Sequence, residues 1–78
     1  MKLRVEFTVE PFTEGSPGPH VDAAVAATRA YPVDVDFGPF GTAILGATDD
    51  ALGALDAAVR AAVAAGATKV SVQVAVVS

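Results

Sequence analysis

The chain has 78 residues, a formal net charge of −4 and 53% hydrophobic residues. We expect one domain over residues 1–78, and a domain of this size buries only about 60% of the surface that its unfolded chain exposes. A mean hydropathy of +0.51 is high for so small a monomer. Alanine pairs on helices account for part of it, but the valine-rich C-terminal segment does not fit that explanation. We therefore expect a homo-oligomer, either a dimer or a tetramer.

The composition excludes several classes of function. The chain has only five Lys and Arg residues, too few and too scattered for the clustered basic surface that a nucleic acid requires. The absence of cysteine excludes disulfides, thiolate nucleophiles and thiolate metal ligands. No run approaches the roughly 18 apolar residues of a membrane span, and Arg4 and Glu6 interrupt any apolar leader. We expect a cytoplasmic protein without nucleic-acid or membrane partners.

The N-terminal half begins with a predicted strand and helix. Residues 3–10 alternate between apolar and polar side chains, which predicts a strand with one buried face. Pro11 ends this strand, and the Gly- and Pro-rich residues 13–19 predict a loop. A helix is predicted over residues 19–30, starting with a proline at its first position and closed by Pro32. Its predicted stripe comprises Val21, Ala24, Val25 and Thr28.

Two further strands form a predicted hairpin at mid-chain. Residues 33–37 alternate again, and their valines and Phe37 are expected to face the core. The Gly and Pro residues within 38–41 predict a turn. Residues 42–46 then return as a short strand.

The C-terminal part is a predicted helix followed by a strand. Thr48 or Asp49 is the expected N-cap, and Asp49 and Asp50 place two carboxylates in the first turn. The predicted buried stripe of this helix comprises Leu52, Leu55, Val59 and Val63. Gly66 is expected just past the helix end, where a left-handed backbone favours glycine. The last strand has Val70, Val72, Val74 and Val76 on one face and Ser71, Gln73 and Ala75 on the other.

The order of these elements defines the expected fold class. Two right-handed crossovers through helices give an α+β, ferredoxin-like βαββαβ arrangement, with a four-stranded antiparallel sheet and both helices on one face. The first and third strands are expected at the centre of the sheet. Because this fold hosts many functions, function has to be argued from a site.

The sheet face opposite the helices offers the first candidate residues. Glu6 and Thr8 lie on the central first strand, and Ser71 and Gln73 lie on the last strand. Polar side chains on a sheet face are commonly only solvated. Glu6 differs, because a mid-strand carboxylate in an oligomer needs a partner. That partner is either a hydrogen-bonding group of a ligand or Arg4 across a subunit interface.

Three other side chains are candidate ligand contacts. His20, the only histidine, lies at a predicted helix start, where it has either a hydrogen-bonding role or none. Phe12 and Phe40 lie at a strand end and in a turn, where a half-exposed ring is able to stack on a ligand.

The sequence offers little for metal binding or catalysis. The pairs Asp34/Asp36 and Asp49/Asp50 lack the spacing of a calcium loop. No nucleophile with an adjacent base and orienting group is apparent. We therefore expect neither a metal, a cofactor nor an enzymatic activity.

Three segments resemble the motifs of a known family. Residues 6–11, Glu-Phe-Thr-Val-Glu-Pro, are similar to a Glu-x-(Ser/Thr)-Val-x-Pro first strand. Residues 38–46, Gly-Pro-Phe-Gly-Thr-Ala-Ile-Leu-Gly, are similar to a Gly-Pro-x-Gly-Thr-x-x-Glu-Gly hairpin. Residues 64–71, Ala-Ala-Gly-Ala-Thr-Lys-Val-Ser, are similar to the x-x-Gly-Ala-x-Arg-Val-Ser start of the last strand. Over almost its whole length the chain resembles the thiamine-binding protein family, the YkoF-like proteins.

This resemblance implies a ferredoxin-like fold, oligomers built through the sheets, and binding of thiamine or its hydroxymethylpyrimidine part. The candidate ligand-binding residues are then Glu6, Thr8, Phe12, His20, Phe40, Gly41, Thr42 and Leu45.

The chain departs from the family pattern at Leu45, where the family has Glu. If that Glu recognises the ligand, this chain lacks the contact. A purely structural oligomer without a ligand is then one alternative. An ACT-like amino-acid-sensing module, which shares the fold and binds at subunit interfaces, is the other.

Overall fold

The computed structural model describes residues 1–11, 18–38 and 41–78. The elements follow the predicted βαββαβ order: β1 (Lys2–Glu10), α1 (Pro19–Thr28), β2 (Asp34–Gly38), β3 (Gly41–Ala47), α2 (Thr48–Ala64) and β4 (Lys69–Val76). The predicted boundaries differ from these by two residues at most. The turn between β2 and β3 and most of the loop before α1 lie outside the described residues.

The four strands form one antiparallel sheet in the order β2-β3-β1-β4. The expectation that the first and third strands are central is confirmed. β1 and β3 pair with Val5 opposite Ile44, and β1 and β4 pair with Val5 opposite Val74. The α+β ferredoxin-like arrangement is therefore the fold of this chain.

The core lies between the sheet and the helices, as the strand alternation predicts. The apolar positions of β1 are buried and its polar positions are exposed. Ile44 and Val5 are fully buried on the same face of neighbouring strands. The stripe predicted for α1 is confirmed, because its four residues are the buried ones. Thr28 satisfies its hydroxyl there by donating to the Val25 carbonyl at 2.6 Å.

The buried face of α2 differs from the prediction. Alanines form it, namely Ala51, Ala54, Ala58 and Ala62. Of the four residues predicted to be buried, Leu52 is 43% exposed and Val63 is 60% exposed, while Leu55 and Val59 are half-buried. The rotation of α2 about its axis accounts for the difference. A Cβ atom added to Gly53 would lie only 2.7 Å from the ring of Tyr31. At 3.6 residues per turn, this contact lies on the side of the helix opposite Leu55, so α2 is turned away from the predicted stripe.

Phe37 is a second correction. We expected it in the core, but it is 45% exposed. Its neighbour across the ladder, Thr42, is buried on the helix-facing side. Phe37 therefore faces the predicted side, but β2 is an edge strand and the helices only partly cover it.

The ends of α2 confirm one predicted cap and correct another. Ala47 is the N-cap and makes no side-chain capping bond, so the assignment of Thr48 or Asp49 is wrong. β3 runs directly into α2, which makes Thr48 the first helical residue; its hydroxyl donates to the Met1 carbonyl at 3.2 Å. At the other end, Gly66 has φ +105°, the positive angle expected of a glycine after a helix.

Neither helix in the described part of the chain is long and apolar enough to cross a membrane. The cytoplasmic location stays a prediction.

Candidate functional site

The sheet face opposite the helices carries a mixed polar surface, called here the open face. It consists of the alternate strand residues that point away from the core. β1 contributes polar side chains at every position of this face, whereas β3 contributes only small or apolar ones. The main side chains of the open face are Arg4, Glu6, Thr8, Asp34, Asp36, Ala43, Leu45, Ser71 and Gln73.

A cavity of about 610 Å³ lies on the open face. Its polar wall comes from all the strands except β3, and the side chains are those of Arg4, Glu6, Thr8, Asp36, Ser71 and Gln73. Gly41 and Ala43 of β3 provide the floor between them. The volume falls within the roughly 300–1,000 Å³ of small-molecule sites. The cavity is therefore large enough for a ligand of one or two rings.

Arg4 and Glu6 form an ion pair within one chain. The Arg4 Nε donates to Glu6 Oε1 at 2.8 Å, and the two side chains are 49% and 53% exposed. Of the two partners considered for Glu6, Arg4 is thus present, but on the same strand rather than across an interface. Because Glu6 is half-exposed, its second oxygen remains able to accept a hydrogen bond from a ligand.

The floor of the cavity depends on the absence of a side chain at Gly41. Its φ of +152° is one that L-residues rarely adopt. A Cβ atom there would also lie 3.0 Å from the Phe7 carbonyl oxygen and 3.1 Å from the Thr8 methyl carbon. The Gly-Thr sequence at the head of β3 therefore keeps this part of the open face recessed.

Four of the predicted site residues border the cavity: Glu6, Thr8, Gly41 and Thr42. Thr42 is only 4% exposed and faces the core, so its backbone rather than its side chain borders the cavity. Leu45 lies on the open face but outside the cavity, opposite Arg4 on β1 and Asp34 on β2.

The other predicted site residues lie elsewhere. His20 is at the start of α1, where its Nε2 donates a hydrogen bond to the Pro11 carbonyl oxygen. It does not line the cavity. Phe12 and Phe40 lie outside the described residues, so their stacking role stays a prediction.

Asp36 is a cavity residue that the sequence reasoning did not select. The alternation of β2 places it on the open face, and the ladder places it opposite Ala43. The alternation of residues 33–37 in the sequence indicates this placement, although the spacing of Asp34 and Asp36 does not match a calcium loop. No group of three His, Asp or Glu residues within the described ranges is placed to hold a metal ion.

Together, the βαββαβ fold and the polar cavity on its open face define a small α+β protein with a candidate ligand site. The family model described as "Thiamine-binding protein" matches residues 5–78. The chain therefore belongs to the thiamine-binding protein family, as its motifs indicated. This membership supports a small ligand-binding protein.

Solved structures support the same fold. A protein of Streptococcus pneumoniae aligns with a TM-score of 0.79 at 25% identity, covering 100% of this chain and 89% of its own. A domain of unknown function from Bacillus cereus aligns with a TM-score of 0.70 at 25% identity, covering 95% and 72%. A Thermotoga maritima protein provisionally assigned to thiamine biosynthesis or salvage aligns with a TM-score of 0.68 at 20% identity, covering 96% and 81%. No curated protein gives a significant match.

Proposed function

We propose that this protein is a non-catalytic binder of thiamine or its hydroxymethylpyrimidine part and that it works as a homo-oligomer. The observation that carries the proposal is the cavity on the open face, with Glu6 in its wall, in a chain that matches the thiamine-binding family over residues 5–78. The provisional assignment of the Thermotoga maritima protein to thiamine biosynthesis or salvage points in the same direction.

The chemistry of the cavity suits an aminopyrimidine. Such a ring carries an exocyclic amine and ring nitrogens, which need hydrogen-bond acceptors and donors at its edge. Glu6 supplies a carboxylate acceptor, while Thr8, Ser71 and Gln73 supply hydroxyl and amide groups. Gly41 and Ala43 carry no side chain larger than a methyl group, so the floor leaves room for a ring above it. These groups are suited to binding and orienting a ligand.

Self-association is supported by an uncovered apolar strip on β4. Val72, Val74 and Val76 are 40%, 50% and 64% exposed, although their ladder partners on β1 are buried. β4 is also an edge strand, and such edges present unpaired backbone groups. A second copy would cover both features.

Isothermal titration calorimetry against thiamine, hydroxymethylpyrimidine and a panel of amino acids tests the ligand. We expect heat from at least one of the first two and none from amino acids. Binding of an amino acid alone would instead favour the ACT-like sensing module. No heat from any ligand, with an intact oligomer by light scattering, would favour the purely structural role.

A further inference from the structure

Two carboxylates face each other across the floor of the cavity. The ladder sets Asp36 opposite Ala43, and Ala43 opposite Glu6. Because paired residues share a face, these three side chains form one row across the open face. Strands lie about 4.8 Å apart, so the backbones that carry the two carboxylates are about 10 Å apart.

The space between the carboxylates is kept open by small residues. Ala43 lies between them, and the adjacent row of the hairpin pairs Gly38 with Gly41. Both glycines border the cavity. A ligand lying on this floor therefore contacts Glu6 at one end and Asp36 at the other.

The two carboxylates differ in their charge environment. The charge of Glu6 is compensated by Arg4, whose Nε lies 2.8 Å away. Asp36 has no salt-bridge partner among the residues that the structure describes. The Glu6 end is thus suited to neutral hydrogen-bond donors, and the Asp36 end attracts a positive charge.

We propose that Asp36 selects ligands with a permanent positive charge, by facing the thiazolium ring of thiamine while Glu6 bonds the aminopyrimidine. This inference rests on the proposed function and adds a specificity-determining residue to the same site. It predicts different affinities for thiamine and hydroxymethylpyrimidine, between which the proposed function does not distinguish. Thiamine carries both a neutral aminopyrimidine and a quaternary nitrogen, whereas hydroxymethylpyrimidine carries only the first.

The test compares Asp36→Asn with Asp34→Asn by calorimetry. The two substitutions are matched, because both remove one open-face carboxylate of β2, and Asp34 lies outside the cavity. Each variant and the unmodified protein are titrated with thiamine and with hydroxymethylpyrimidine at low and at physiological ionic strength. Circular dichroism melts verify that both variants keep the fold.

We expect Asp36→Asn to weaken thiamine binding roughly three- to tenfold at low salt, as for a partly screened charge pair. The affinity of Asp36→Asn for hydroxymethylpyrimidine should stay within about twofold of that of the unmodified protein. Asp34→Asn should keep its affinities for both ligands within the same range. The salt dependence of thiamine binding should also be smaller in Asp36→Asn, because the screened charge is gone.

An equal loss of affinity for both ligands in Asp36→Asn would overturn the inference, since Asp36 would then affect the shape of the site rather than recognise a positive charge. Unchanged thiamine affinity in Asp36→Asn would also overturn it, while leaving the proposed function intact. If the unmodified protein binds neither ligand, the proposed function fails, and the inference fails with it.

Discussion

Replacing Glu6 by Gln removes the charge of the candidate ligand contact while keeping its shape. The effect on folding should be small, because the Arg4–Glu6 pair is about half exposed on both sides. Such ion pairs contribute about 0.2–1 kcal/mol. The effect on binding should be larger, since the loss of a charge-assisted hydrogen bond costs about 1–3 kcal/mol. That range corresponds to roughly fivefold to 150-fold weaker binding of an aminopyrimidine.

Glu10→Gln is the matched control for this substitution. Glu10 lies on the same strand and the same face, has a distant cation partner in Lys69 at 3.9 Å, and does not line the cavity. Calorimetry of both variants with thiamine measures the effect on binding, and thermal melts of both variants measure the effect on stability. Glu6→Gln binding thiamine as tightly as the Glu10→Gln control would refute the reasoning. Dissociation of the oligomer by Glu6→Gln would instead assign Glu6 to an interface.

Three further predictions concern Leu45, the core and β4. Leu45→Glu should strengthen thiamine binding if the family's Glu acts from this position, which lies outside the cavity lining. The free energy of unfolding should change by no more than about 1 kcal/mol, because the new carboxylate would face both Arg4 on β1 and Asp34 on β2, whose charges have opposite signs. A variant that melts much lower and gains nothing from thiamine would contradict this. Ile44→Ala should lower the free energy of unfolding, measured in urea, by about 2–5 kcal/mol, because Ile44 is fully buried. Leu52→Ala should lower it much less, because Leu52 is 43% exposed. Equal losses of stability would argue against a buried alanine face on α2. Val74→Lys should convert the oligomer to monomers in light scattering at micromolar concentration, and a monomeric unmodified protein would contradict self-association.

The strands and their faces were predictable because the alternation of apolar and polar side chains has a period of two, which only a strand with one buried face shows. The buried face of α2 was not predictable, because a hydrophobicity pattern favours burial of Leu52 over burial of Ala51 and takes no account of the neighbouring elements. The rotation of α2 about its axis decides which face is buried, and this rotation is set by tertiary contacts such as that of Tyr31 with Gly53. The predicted burial of Phe37 was wrong for a related reason. The sequence shows which way a strand residue faces, but it does not show how far the helices extend over an edge strand.

The candidate site was partly predictable. Glu6 and Thr8 followed from the alternation of β1, and Gly41 followed from the family resemblance. Asp36 requires the register of the hairpin, because only the pairing of Gly38 with Gly41 sets Asp36 beside Ala43 and in line with Glu6. Leu45 shows the converse case, since a motif position is not necessarily a cavity position: it lies on the open face but beyond the cavity lining.

The central claim is that a small ligand binds on the open face of the sheet. An NMR titration of the isotope-labelled protein with thiamine tests it most directly, because each backbone amide reports its own surroundings. The amide signals of Thr8, Ala43 and Gln73 should shift in proportion to occupancy, while those of Asp56 and Arg60, on the exposed side of α2, should not move. Shifts confined to the helices, or no shifts at millimolar thiamine, would contradict the account.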